Sequence, residues 1–504
     1  MGMLSQTLIC EFCDMKKKQW KIIVIGFFLA LLAILIWKIG FSNYTDEKKW
    51  TVLLFIEANN SLEDFSELDL DEIKSIGKIK NFNLLVEVNR KGKSSGCEEF
   101  WDGSYRFELH KNGNQLCPSK GIKIKSNALL DRFKNFIEYG KKEYPPEDNK
   151  YLITFWNHGN KWIIPRNYGK NKGESLKLAY QNYVKLNDSI GLCNKPRSGS
   201  ESIINNFNLL SFDDFVEELE KGSFLNSIHS SISIEEGLLT KNNNIINGDE
   251  IAEAMDNIKT EIMAFDSCLL GTMEMAYSLK NKTNIMVASE EVVPVCGYNY
   301  EEVLKLIQCN PNIESKELAK GLVKMYHKEY SSLYQYSLSA VILSQIENLN
   351  NQLDMVSSLL ITELEKQNNE LILSKIEETR KKCISYGWSE FEVGSIDLNC
   401  FLQNLQQQIE GDNNLIDLKI NLTNCLRIIN ESLILYEKSS DQGQKSKGLA
   451  IYFPKFKRGS VSGGFSRVYI EENKTLYPVL EFVKNSKWDN FLRTYKSKIE
   501  NYKS

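Results

Sequence analysis

Two short strings in this chain carry residue types that could do covalent chemistry together: His158-Gly159 and Asp266-Ser267-Cys268. A histidine at a strand end can move a proton near neutral pH, and a glycine beside it lets a substrate carbonyl approach a bare backbone N–H. A thiol where a strand opens into a helix has its pKa lowered by the helix dipole, the usual route to a reactive thiolate. Each string also has a bland reading, as a histidine satisfied by loop hydrogen bonds and as a buried cysteine serving as a small hydrophobe. Together they offer a nucleophile and an acid–base group. The chain has only four histidines, His110, His158, His229 and His327. No H-E-x-x-H occurs, which argues against a metalloprotease-type zinc site, and no G-x-S-x-G nucleophile elbow is present. Glu290-Glu291 and Asp69/Asp71 could serve as acid–base carboxylates, although a solvated surface is the commoner fate of such pairs. His327, in KMYHKEY, reads as a surface or packing residue.

Positioning these groups requires strands that end together. Trp50–Ala58, Asn83–Val88, Tyr151–Trp156, Ile262–Asp266 and Ile285–Ser289 are apolar runs of strand length, with an outer hairpin strand at Tyr105–His110. Helical spacing is expected over Leu62–Ile79, Ala128–Lys142 and Leu269–Lys280, and Pro145-Pro146 ends the second of these. Strands apolar on both faces and alternating with helices predict an α/β fold, a mainly parallel sheet covered on both sides. Sites in such sheets lie beyond the strands' carboxyl ends, which selects His158 and Cys268. Between them lies an irregular tract, about 164 to 247, rich in Asn, Lys, Ser and Gly. From about Glu302 the chain turns helix-rich: long amphipathic patterns cover Leu349–Lys381, Leu415–Glu437 and Val479–Tyr495. Strand-like segments at Tyr336–Leu343 and Gly448–Pro454 interrupt them.

The 504 residues are 42% hydrophobic and 25% charged, enough for a sizeable core and too apolar for wholesale disorder. Net charge is −4 and no dense basic block lies beyond the N-terminus, so nucleic acid is not an expected partner. Ile22–Trp37 is sixteen apolar residues without a charge, and the apolar stretch runs to Phe41 if Lys38 snorkels, about the length a bilayer needs. Lys16, Lys17, Lys18 and Lys21 precede it, so residues 1–21 are expected in the cytoplasm and everything after the 22–41 transmembrane anchor outside the cell membrane. The rival is a cleaved signal peptide, for which Gly40-Phe41-Ser42 is a poor cleavage site; Met15 is a second candidate start. Nine cysteines follow the anchor, an odd number at irregular spacing, so no disulfide framework is expected and at least one thiol stays unpaired. The expected division is tail, anchor, an α/β catalytic core over 42–301, and a helix-rich region over 302–504 that completes the unit.

WNHG at 156–159 and DSCLLGTMEMAY at 266–277 resemble the two signature blocks of clostripain-like cysteine peptidases, relatives of caspases, gingipains and legumain. Further blocks agree in order: WTVLLFIEANNSLEDFSELDLDEI at 50–73, NLLVEVNR at 83–90, ASEEVVPVCGYNY at 288–300, SIDLNCFLQNL at 395–405 and GLAIYFP at 448–454. The resemblance implies a caspase-like fold and peptide-bond hydrolysis, with Cys268 as nucleophile, His158 as acid–base group, and the backbone N–H groups of Gly159 and Cys268 as oxyanion hole. It also implies preference for arginine or lysine before the cut, through carboxylates in the first pocket. Asp266 matches one of these. Cys296 occupies the usual place of the second, and Tyr298 stands where relatives carry Trp. Self-cleavage within the basic tract at 170–241 is a further implication. No cofactor is expected; calcium is left open, since some relatives use it although no D-x-D-x-D-G loop occurs here. The expected partners are a protein or peptide substrate and the membrane, with oligomeric state left open. The alternative is a catalytically inactive, peptidase-like surface binding protein, against which the retention of both His158 and Cys268 argues.

Overall fold

A computed structural model describes residues 49–59, 62–94, 97–109, 115–126, 128–157, 247–256, 258–294, 296–331, 336–386, 394–440, 446–456 and 480–501. His158, Gly159, most of the 164–247 tract and the 22–41 stretch lie outside them. Among the described residues, no helix is long and apolar enough to cross a membrane.

Strands β1 (Lys49–Glu57), β2 (Phe82–Ser94), β3 (Cys97–Glu108), β4 (Ile122–Ile124), β5 (Asn149–Trp156), β6 (Thr260–Asp266), β7 (Thr283–Ala288) and β8 (Ser337–Ile342) belong to one sheet. β9 (Ser385–Tyr386), β10 (Ser395–Asp397) and β12 (Ala450–Tyr452) form a second, three-stranded sheet, while β11 (Ile434–Ser439) returns to the edge of the first. The large sheet runs β11-β8-β7-β6-β5-β1-β2-β3-β4. Its five central strands are parallel, and the outer pairings on both flanks are antiparallel. This is the expected α/β sheet, with its parallel character confined to the centre.

Alternation along β1 explains why its central stretch, Val52–Ile56, is apolar on both faces. Leu53 and Phe55 enter one core layer, Val52, Leu54 and Ile56 the other, and all five are buried. A strand with helices on both faces has no side that water rewards with polar residues. Helices Glu63–Ser75, Tyr300–Cys309 and Ser315–Tyr330 cover one face. Helices Leu129–Glu143, Gly248–Ala254, Met273–Leu279, Ile346–Glu365, Ile416–Ile428 and Trp488–Glu500 cover the other.

Several expected boundaries move. The first helix stops at Ser75, because Gly77 turns to φ +70°. The long pattern over Leu349–Lys381 is two helices, Ile346–Glu365 and Glu370–Lys382, broken at the polar Lys366–Asn369 stretch. The pattern over Leu415–Glu437 ends as a helix at Ile428, and Ile434–Ser439 becomes β11, paired antiparallel with β8. That segment is half-buried, and its partner is about ninety residues away in sequence, so local periodicity carries no trace of the pairing. Through β8 and β11 the helix-rich part completes the main sheet.

Buried charges meet at the β1–β3 flank. Arg106 donates through Nε and Nη2 to Glu87 Oε2 at 2.9 and 2.6 Å, and Arg132 pairs with Glu57 while donating to Ser104 Oγ at 2.7 Å. Burial pushes the Glu87 carboxyl up from its usual range, against the pull of Arg106.

Cysteine pairing departs from the expected pattern. Cys383 and Cys400 form a disulfide, and Cys296 is also disulfide-bonded. Spacing is silent on such pairs, because the fold, not the sequence interval, brings the two Cβ atoms together.

Candidate active site

The carboxyl ends of β5 and β6 are in register, Trp156 against Asp266. Past them the chains stay joined: the Asn157 N–H donates to Ser267 Oγ at 3.2 Å, and Ser267 Oγ donates to the Phe155 carbonyl at 3.4 Å. Asn157 immediately precedes His158, and Ser267 immediately precedes Cys268.

Cys268 does not open a helix. Helix Met273–Leu279 starts five residues later, with Thr272 as N-cap accepting from the Met275 N–H at 3.2 Å. The intervening loop crosses to other strands. Leu269 takes φ +64°, an uncommon and strained state for a leucine, and its N–H donates to the Glu291 carbonyl at 3.1 Å. The Gly271 N–H donates to the Ser289 carbonyl at 2.7 Å, and Ala450 N–H donates to the Gly271 carbonyl at 2.9 Å. A Cβ at position 271 would stand 2.8–3.0 Å from backbone atoms of Ser289 and Glu290, so only glycine fits. The dipole argument for an acidified thiol therefore fails, since that field fades within the first turn of a helix.

The loop after β7 wraps the sulfur: the Val293 N–H donates to Cys268 Sγ at 3.3 Å, and the thiol donates to the Val293 carbonyl at 3.8 Å. Two buried serines shape this loop. Ser337 Oγ, at the start of β8, accepts from the N–H groups of Glu290 and Glu291 at 3.0 and 3.2 Å. Ser289 Oγ donates to the Glu291 carbonyl at 2.8 Å. Glu290 and Glu291 are 1% and 8% exposed, so neither is the solvated carboxylate that the sequence suggested. Ser337 was legible only as a small polar residue interrupting an apolar strand.

Asp266 is also buried. Its Oδ2 accepts from the Tyr298 N–H at 2.9 Å and from Tyr300 Oη at 2.8 Å. Burial, and then the Asp266 charge, push both phenols well up, so they remain neutral donors. Gly297 lies against this carboxylate at φ +56°, and a Cβ there would overlap Oδ2. Gly297→Ala is therefore expected to destabilise the protein by about 1–3 kcal/mol and to reduce peptide turnover, measured by thermal melting and initial rates. An unchanged melting temperature would count against this packing.

Cys296, placed by sequence in the substrate pocket, is 1% exposed, packs against Leu68 and has its sulfur in a disulfide. It offers a substrate no charge. His327 Nδ1 is hydrogen-bonded to Tyr336 Oη at 2.5 Å, in keeping with a packing role. Leu269 packs with Tyr386 and Ala450, so the second sheet forms a wall beside Cys268.

A thiol at the carboxyl edge of a helix-covered parallel sheet, next to the strand that precedes His-Gly in sequence, is an arrangement that suits the cysteine-nucleophile class. A family model described as the clostripain family matches residues 54–186 and 239–495. The chain belongs to the clostripain family of cysteine peptidases. It is 23% identical over 295 residues to the clostripain of Hathewaya histolytica, covering 55% of this chain and 45% of that protein, so it spans about half of its relative's length. Among solved structures, an inactive zymogen C11 protease from Parabacteroides distasonis shares the fold, with a TM-score of 0.51 and 14% identity over 87% of this chain and 98% of the other. A secreted C11 cysteine protease from Bacteroides thetaiotaomicron, in complex with an irreversible peptide inhibitor, gives a TM-score of 0.48 and 14% identity over 88% and 99%.

Proposed function

We propose that this chain is a cysteine endopeptidase that cuts protein or peptide substrates after a basic residue through Cys268 and His158. In this reading, residues 22–41 anchor it in the cell membrane and the catalytic part is extracytoplasmic. One observation carries the catalytic part: Asn157 N–H bonds to Ser267 Oγ, and the next residues along the two strands are His158 and Cys268.

The Cys268 thiolate attacks the scissile carbonyl carbon, and the carbonyl electrons move onto oxygen. Backbone N–H groups of Gly159 and Cys268 hold that oxyanion. Collapse of the intermediate expels the amine, which takes its proton from the His158 imidazolium, and leaves a thioester. His158 then deprotonates water, which hydrolyses the thioester, releases the acid and restores the thiol. Asp266 supplies the negative charge that selects the cation.

Fluorogenic peptides carrying Arg, Lys, Asn or Asp before the cut test the preference on the full chain. Turnover of the Arg and Lys peptides is expected to exceed the others at least tenfold. Equal rates, or faster cleavage after Asn or Asp, would remove the basic preference. For the anchor, the chain should partition with membranes, resist carbonate and yield only to detergent.

A further inference from the structure

A desolvated guanidinium or ammonium group is best held by two polar partners, and the first pocket read from Asp266 has so far supplied one. Cys296 is no second partner, since its sulfur is bonded to another sulfur. One side chain near Asp266 has unused hydrogen-bonding capacity. Tyr326, on helix Ser315–Tyr330, is 2% exposed, and its hydroxyl oxygen has no hydrogen-bond partner among the described residues. A buried hydroxyl without a partner is costly and calls for an explanation.

Its surroundings point to one. The Tyr326 ring packs edge-on against Tyr298 at 5.9 Å and Tyr330 at 4.7 Å between centroids. Tyr298 holds Asp266 through its N–H, and Tyr330 Oη donates to the Gly297 carbonyl at 2.7 Å. Tyr298 therefore belongs to the loop that closes on Asp266, and Tyr330, on the same helix as Tyr326, is hydrogen-bonded to that loop at Gly297. Burial, and then neighbours that include Asp266, push the Tyr326 phenol well up, so it stays a neutral hydroxyl. Every other tyrosine in this cluster is committed: Tyr298 Oη donates to the Phe265 carbonyl, Tyr300 Oη to Asp266, and Tyr336 Oη bonds His327.

We propose that Tyr326 is a specificity-determining residue of the first substrate pocket, whose hydroxyl oxygen accepts a hydrogen bond from the cationic side chain before the scissile bond. It stands in for the carboxylate that Cys296 replaces. An oxygen acceptor of this kind serves Arg and Lys and gives an apolar side chain nothing. The proposal rests on the reading of Cys268 and Asp266 given above.

The test compares the full-length wild type with Tyr326→Phe, which keeps the ring and removes only the hydroxyl. Matched peptides carry Arg or norleucine before the cut, and alkylation of Cys268 by iodoacetamide runs in parallel. The variant is expected to lose about tenfold in kcat/KM on the Arg peptide, keep the norleucine rate within twofold, and alkylate at the wild-type rate. Its melting temperature should not fall, because no native hydrogen bond is removed. An unchanged Arg-to-norleucine ratio, or equal losses on both peptides, would overturn the proposal. Wild type that turns over neither peptide, or prefers norleucine, would instead remove the reading beneath it, and the proposal with it.

Discussion

Cys268→Ala is expected to lower peptide turnover by about four to six orders of magnitude while leaving the fold intact. A covalent route has no substitute once its nucleophile is gone, and residual rates in such variants come from binding and oxyanion contacts alone. The structural cost should be slight. The thiol is partly buried, and its loss removes weak contacts with the Val293 N–H and carbonyl, so the melting temperature should move by no more than a few degrees. His158→Ala should match the loss of activity, because the pair acts as a unit. Activity assays beside circular-dichroism melts check both. Retention of more than about a hundredth of wild-type turnover by Cys268→Ala would sink the nucleophile assignment.

The second large effect concerns stability. Glu290 and Asp397 are both buried, and their carboxyl groups interact. Glu290 Oε2 also accepts from the Gly448 N–H at 2.8 Å. Asp397 caps helix Leu398–Gln408 by accepting from the Cys400 N–H at 2.6 Å, and it accepts from the Lys447 N–H at 2.5 Å. Burial pushes Asp397 up to about 6 and Glu290 well above its usual range, with the neighbouring Asp397 charge adding to the latter. The two carboxyls, buried and close together, therefore hold a proton between them. Glu437, Glu291, Tyr386 and Lys447 are the other titratable groups around the pair.

The sign follows from which state binds protons more tightly. Below pH 4 both states hold the Asp397 proton and its ionisation costs nothing. As pH rises through about 6 the unfolded chain has already released that proton, and stability declines by on the order of 2–3 kcal/mol. Glu290 extends the decline above pH 6. Glu290→Gln keeps a donor toward Asp397 and cannot ionise, so its stability relative to wild type should rise between pH 6 and 8. Asp397→Ala removes a helix cap and leaves a buried carboxyl without its partner, costing about 3 kcal/mol or more at pH 7. Thermal melts of the three proteins from pH 4 to 8 check this. Parallel curves for wild type and Glu290→Gln would contradict the shared proton.

The pair matters to the site because of what it fastens. Glu290 belongs to the loop that wraps Cys268, while Asp397 and Gly448 belong to the segments around the second sheet. Loosening it should therefore lower activity as well as stability.

The central strands were legible in the sequence because a parallel strand with helices on both faces is apolar on both, as Val52–Ile56 and, but for Thr154, Tyr151–Trp156 are. The chemistry-bearing residues were legible because strand ends gather sites, and the ordered blocks around His158 and Cys268 carried the family. Missing from the sequence was every contact set by chain segments far apart. No local pattern announces that Val293 donates to Cys268, that Ser337 shapes that loop from 46 and 47 residues away, or that Asp397 meets Glu290. The helix dipole at Cys268 was a local inference, and the tertiary path of the Leu269–Thr272 loop overrode it. Residue types and their order thus carried the family and pointed to the proposed reacting groups. The charge, burial and hydrogen bonding of those groups depend on neighbours that only the folded chain brings within a few ångströms.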